Sequence, residues 1–271
     1  MIRRPISRRL AIILAVISLV VLGSFYELLS LRQTRINEKQ MVVPSYTALA
    51  KGVVRITAAQ GTEEKPKPSW LWEDFRATYW RLLLGITVGV VCSIVLGIAI
   101  GCYTFIDAAL SPMITFMAKI PPTAMLGVYM ILFGTHLSAY IALVSLGIIF
   151  SMVLSISRAV QTDVTPDQID KAYTLGASEF EVIIEVVWRQ ILPRVIDAVR
   201  AQIGPAMIYL IAAEAMFGSE GFGYRIRLQS RLSNMDVVYP YLLILGGSGL
   251  FFDWGLDQLR RRLCPWFGEQ S

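Results

Sequence analysis

Residues 161–193 read QTDVTPDQIDKAYTLGASEFEVIIEVVWRQILP, a polar island between two strongly apolar runs. The island carries two helix starts back to back. Thr165 is placed to cap one helix, with Pro166 in its first turn and Gln168 three residues on to complete a capping box. Ser178 and Glu181 repeat the device, and Gly176 between them is a left-handed stop for the first helix. Beyond Ser178 the apolar residues Phe180, Ile183, Ile184, Val187, Trp188 and Ile191 recur at i, i+3, i+4, i+7, i+8 and i+11, one stripe of an α-helix. The spacing predicts a helix–turn–helix with one apolar side to bury. Two settings suit it: a docked loop gripped by a partner, or an amphipathic helix lying at a lipid interface.

Outward from the island, the chain is membrane-like. Of its 271 residues, 55% are hydrophobic and 17% are charged, with a mean hydropathy of +0.57; a soluble domain carries about 25% charge. A spanning helix needs about 20 apolar residues, and six stretches qualify: 10–29, 79–101, 110–133, 137–157, 198–217 and 237–254. The expected fold is therefore an all-α integral membrane protein of six transmembrane helices. It divides into an N-terminal transmembrane helix (1–30), an extracytoplasmic loop (31–78), a transmembrane domain (79–260) with the island inside it, and a cytoplasmic tail (261–271). Arg3, Arg4, Arg8 and Arg9 precede the first span and put its start in the cytoplasm. A signal peptide is the alternative, but no small-residue cleavage site follows Val21-Leu22-Gly23, so an uncleaved first helix is expected. Six crossings then place both termini and the island inside, with Arg158, Lys171, Arg189, Arg194 and Arg260–Arg262 in agreement. The loop of residues 30–78 carries eight Lys and Arg and faces out; at that length the positive-inside rule weakens. Pro44-Ser45 precedes a short helical stretch there, and a flexible Gly61–Pro68 segment follows.

Within the spans, Gly85, Gly89, Ser93, Gly97 and Gly101 recur at every fourth position, which lets a second helix backbone come close. Pro121-Pro122 breaks the third span and Gly204-Pro205 the fifth; each is a kink, or unwound backbone lining a cavity. Several chemistries are excluded. There is no G-x-x-x-x-G-K-[ST] sequence to cradle ATP, no nucleophile elbow and no HExxH helix. His136 is the sole histidine, and Cys92, Cys102 and Cys264 lack metal or redox spacing. No metal site and no enzymatic activity are expected. No basic patch interleaves with aromatics, so nucleic acid is not a partner.

The island also carries a resemblance. Asp170-Lys171-Ala172, then Gly176 after three residues, then Val186 after nine, resembles the EAA loop of binding-protein-dependent ABC importer permeases, and Thr174-Leu175-Gly176-Ala177-Ser178 is its most family-like stretch. Pro112 through Gly134, Ala213-Glu214-Ala215-Met216 and Gly221-Phe222-Gly223-Tyr224 add to it. With Val43-Pro44-Ser45 and Gly247–Asp253, they look like the nitrate, sulfonate, taurine and bicarbonate branch, over residues 40–267. Asp170-Lys171 stands where the family has Glu-Ala, Trp188 where it has Leu, and Arg189 where it has a first proline; Pro193 keeps the second.

The resemblance implies a cytoplasmic coupling loop (161–193) between spans four and five. Asp170, Lys171, Ala172, Leu175, Gly176, Ala177, Ser178 and Glu179 would contact the ATPase while the Phe180–Ile191 stripe holds the bundle. It further implies two ABC ATPase subunits carrying ATP and magnesium, none of it bound by this chain, and a second permease copy or related chain. A soluble or lipid-anchored binding protein would deliver a small oxyanion through the lipid-embedded permease in a bacterial inner membrane. An ATP-independent channel or secondary carrier is the competing reading. Ionisable residues inside spans are candidate path residues. Lys119, beside Pro121, is a positive lining for an anion path, an ion-paired group or a snorkelling one. Glu214 lines the path or pins the outer loop. Arg225, Arg227 and Arg231 form a docking face for the binding protein or a solvated connector, and Asp253 balances Arg260–Arg262.

Overall fold

The computed structural model describes residues 7–36, 42–62 and 65–267; Arg3, Arg4 and residues 268–271 of the expected tail lie outside them. The described chain is helical apart from one small hairpin. Its elements are α1 (Arg8–Ile36), α2 (Tyr46–Thr57), β1 (Gln60–Thr62), β2 (Lys65–Lys67), α3 (Trp70–Cys102), α4 (Thr104–Met117) and α5 (Leu126–Phe133). There follow α6 (Leu137–Asp163), α7 (Pro166–Thr174), α8 (Glu179–Glu181), α9 (Arg189–Phe217), α10 (Phe222–Arg231) and α11 (Met235–Leu263). Among the described residues five helices are long and apolar enough to cross a membrane, and six if α4 and α5, bent by 79° at the break between them, count as one span.

Two compact units form. One comprises the described residues up to Leu71 together with Ile226–Leu243. Here α1 turns its apolar side chains outward, as a helix facing lipid does. Ser45 caps α2, its Oγ accepting from the Ala48 N–H at 3.3 Å. Gly52 of α2 is pressed against the start of α11: a Cβ there would lie 1.9 Å from the Asp236 carbonyl oxygen. The segment expected to be flexible is a two-stranded antiparallel hairpin pairing Gln60 with Lys67 and Thr62 with Lys65.

The other unit comprises Trp72–Arg225 and Ile244 onward, with α6 at its core. Leu143, Val144, Ile148 and Met152 are fully buried, and α9 runs along α6 through Ala206 and Leu210 at one end and Ile191 and Val195 at the other. The glycine ladder of α3 meets α6 residue by residue. Cβ atoms built at Gly85, Gly89, Gly97 and Gly101 would fall 2.5–2.7 Å from Val144, Ile148, Ile156 and Val160, and Ser93 Oγ donates to the Ile149 carbonyl at 3.4 Å. The ladder is thus packing within one subunit.

Two features differ from expectation, at the start of α3 and at Gly204-Pro205, while the break at Pro121-Pro122 is as expected. α3 starts at Trp70, nine residues inside the expected outer loop, because Asp74 and Thr78 have buried partners. Pro121-Pro122 does break the third span, leaving a short 3₁₀ turn at Pro122–Met125. Gly204-Pro205, by contrast, does not interrupt the helix: α9 runs unbroken from Arg189 to Phe217 with Pro193 and Pro205 inside it.

Candidate functional site

The loop between α6 and α9 is built from local signals. The Thr165 N–H donates to Gln168 Oε1 at 3.0 Å in the capping box that starts α7. α7 ends on Gly176 at φ +85°, with the Gly176 N–H on the Tyr173 carbonyl (2.9 Å) and the Ala177 N–H on the Ala172 carbonyl (3.1 Å). That pair of bonds is a Schellman motif, and φ > 0 there favours glycine. The second box follows at once: the Ser178 N–H and hydroxyl both donate to Glu181 Oε2 at 2.7 Å, and Ser178 Oγ accepts from the Glu181 N–H at 3.4 Å.

The apolar stripe is corrected. Val182–Trp188 form a π-helical stretch, in which each hydrogen-bonded turn holds one residue more than an α-turn. The buried set becomes Val182, Val187, Ile191 and Val195, spaced five, four and four. Ile184 and Phe180, which a pure α register would turn inward, are 41% and 72% exposed. Val187 and Ile191 pack on Met152, Ile156, Ala159 and Val160 of α6, joined by Ile169 of α7. Gln190 Nε2 donates to the Asp163 carbonyl, and Arg194 Nε to Asp163 Oδ2 at 3.0 Å, closing the loop onto the end of α6. Arg189 pairs with Glu185 at 2.6 Å on the exposed side.

What faces outward is a mixed edge. Asp170, Lys171, Gly176, Ser178 and Glu179 are exposed, and Ala172 and Ala177 half-buried. Leu175 at the tip is 89% exposed, with Tyr173 and Phe180 open beside it. A groove of ≈ 350 Å³ runs behind the loop, between Gly101–Tyr103 at the end of α3 and Ile169, Asp170 and Tyr173 of α7. Glu179 reaches the Tyr103 phenol there, and this hydrogen bond pushes the phenol's pKa up.

The path candidates fall in two places. Lys119 and Pro121 are exposed at the bend between α4 and α5. Glu214 is fully buried at the far end of α9. Its carboxylate accepts from Thr78 Oγ1 (2.9 and 3.0 Å), Arg81 Nη1 (2.9 Å) and the Gly223 N–H (3.1 Å). Arg81 also donates to the Glu220 carbonyl and carboxylate at 3.1 Å and stacks over Tyr140 at 4.5 Å. Beside it Asp74 takes Arg225 Nε at 2.7 Å and the Gly221 N–H at 2.9 Å. Gly221 sits at φ +108°, and a Cβ there would meet the Glu214 carboxylate at 2.5 Å. Arg225 is therefore no solvated connector or open docking group but one half of a buried ion pair. Asp74, Thr78 and Arg81 were missed in the sequence, although their i, i+4, i+7 spacing puts all three on one helix face just ahead of the apolar run. Asp253 is also reassigned: it binds Arg200 at 2.9 Å, while Asp257 takes Arg260 and Arg261.

Residues 89–264 match the family described as binding-protein-dependent transport system inner membrane component. The taurine transport system permease protein of Escherichia coli K12 is 30% identical over 199 residues, covering 73% of this chain and 72% of its own. A putative aliphatic sulfonates transport permease protein of Bacillus subtilis 168 is 24% identical over 72% of this chain and 71% of its own. Among solved structures, the MetNI methionine ABC transporter in an inward-facing conformation superposes with a TM-score of 0.56 at 18% identity, covering 72% of this chain and 94% of that one; this likeness is one of fold. The chain belongs to the binding-protein-dependent inner membrane components and is a permease subunit of an ABC importer, in which ATP hydrolysis is the work of a separate chain.

Proposed function

We propose that this permease carries a small oxyanion, of the sulfonate, nitrate or bicarbonate type, across the bacterial inner membrane. Two ATPase subunits holding ATP and magnesium drive it through the 161–193 loop, a soluble or lipid-anchored binding protein delivers the solute outside, and a second permease copy or related chain completes the path. Both termini lie inside. The observation that carries the reading is the loop: a doubly capped, Schellman-closed turn anchored by Val187 and Ile191, with Leu175 and its neighbours Lys171, Gly176 and Ser178 exposed at the tip. Asp170, Lys171, Ala172, Leu175, Gly176, Ala177, Ser178 and Glu179 are then the ATPase contact. The oxyanion class rests on the likeness to the taurine and sulfonate permeases, and an exposed Lys119 at the α4–α5 bend supplies a matching charge.

The test is co-purification. The ATPase expressed beside this chain is expected to elute with it, and Gly176→Asp or Ala172→Glu to abolish that association while the permease stays folded. Uptake into proteoliposomes that persists with no ATPase present would overturn the reading. Lys119→Ala is expected to reduce uptake without loosening the ATPase.

A further inference from the structure

Behind the loop, α9 and α11 are joined by a cluster of charges that the docking surface does not use. Arg200 of α9 reaches across to α11, donating from Nε and Nη2 to Asp253 at 3.0 and 2.9 Å and from Nη1 to Asp257 at 3.2 Å. Arg260 of α11 reaches back to Asp197 of α9 at 3.1 Å while holding Asp257 at 2.9 Å. Arg261 caps Asp257 from the outside at 2.8 Å. Three arginines and three aspartates thus neutralise one another, and the cross-bracing runs in both directions. Arg200 to Asp253 is a bidentate pair, the geometry that fixes orientation as well as distance.

Placement gives the cluster its meaning. Arg200 lies 11 residues into α9, about 16 Å along the helix from Arg189, on the stretch that continues without a break from the capped loop. α9 is also tied to α6 by Arg194 and Asp163 and to α3 by Glu214 with Thr78 and Arg81, whereas Arg200 and Asp197 carry its ion pairs to α11. A bidentate ion pair does not slide: a relative shift of one turn separates its charges.

We propose that Arg200, with Asp253 and Asp257, is the linkage that makes the inner half of α11 follow α9 when the loop is displaced; Asp197 and Arg260 brace it. This rests on the reading of the loop as the ATPase contact. The three residues are positioning residues for transport, touching neither solute nor nucleotide.

The test uses the assembled transporter, permease with ATPase and binding protein, in proteoliposomes, reading solute imported per ATP hydrolysed. Arg200→Ala and Asp253→Asn are each expected to leave ATPase co-elution and hydrolysis in place and to lower that ratio by roughly tenfold, the scale of a typical coupling between sites. Arg200→Lys is expected to keep an intermediate ratio. Arg200→Cys with Asp253→Cys, bridged by a short bifunctional reagent in a background lacking Cys92, Cys102 and Cys264, is expected to restore the ratio lost in Arg200→Ala. An unchanged ratio in Asp253→Asn and Arg200→Ala overturns the proposal, and so does a cross-link that abolishes import while hydrolysis continues. Failure of the wild-type permease to bind the ATPase would instead overturn the reading of the loop.

Discussion

Replacing Gly97 by alanine sets two opposed effects against each other. Away from tertiary contacts, alanine in a helix is favoured over glycine by about 1 kcal/mol. At Gly97, however, the added methyl would sit 2.7 Å from Ile156 Cβ, 2.8 Å from its Cγ2 and 3.3 Å from the Val153 carbonyl oxygen. Carbon atoms prefer about 3.5–4.0 Å, so α3 and α6 must part by about 1 Å. Ile156 Cβ is fixed to its own backbone and cannot swing aside. The same close approach recurs at Gly85, Gly89 and Gly101, so a local shift also disturbs the turns above and below. Overpacking of this kind costs about 1–3 kcal/mol, which outweighs the propensity gain or at least cancels it. The control is Gly127→Ala on α5, where no atom lies within 4 Å of the new methyl and only the propensity gain remains. Thermal unfolding of the detergent-solubilised permease, followed by a thiol-independent probe, should show Gly97→Ala melting a few degrees below wild type and Gly127→Ala at or above it. If Gly97→Ala melts as high as Gly127→Ala, the close packing of α3 on α6 is refuted.

Other expectations follow from the same contacts. Glu214→Ala leaves Arg81 without its main partner and is expected to cost about 3–5 kcal/mol, read as loss of folded yield; Glu214→Met with Arg81→Met should recover much of it. Gly176→Ala forces a left-handed alanine and should cost about 1–2 kcal/mol in the loop, measured as faster amide exchange over α7 with the spanning helices unchanged. Ser178→Ala removes a cap worth about 1 kcal/mol and should loosen the amides at Glu181 and the start of the helix that follows, while Leu143–Met152 stay protected. Leu175→Glu is expected to leave the melting temperature untouched, since the side chain is open, and to cut ATPase co-elution.

Much of the loop was legible because its signals are local. A serine or threonine three residues before Gln or Glu, and a glycine where φ must be positive, are decided within one turn of chain. The resulting boxes at Thr165 and Ser178 and the stop at Gly176 stand as read. The stripe from Phe180 to Ile191 was legible only in part. Counting by 3.6 presumes an unbroken α-helix, and the π stretch at Val182–Trp188 is invisible to that count. It places Val182 and Val187, five residues apart, together on the core side, leaving Phe180 and Ile184 outside. Proline gave opposite results at two sites: Pro121-Pro122 ended a helix, whereas Pro205 was absorbed into α9, whose neighbours on α6 hold it in place. Charges were the least legible of all. Arg225 reads as a surface residue until Asp74, 151 positions away, is folded beside it.

The sequence by itself determined the apolar spans, their order, the capped polar island between them and the glycine ladder, because hydropathy, capping and the absence of a side chain act within a few residues. Only the tertiary structure decided which helix the ladder meets, which side of the loop is outward, and that Glu214 and Asp74 are satisfied buried ions. Those outcomes depend on which distant groups share a low-dielectric space, and an unpaired charge there is too costly to persist.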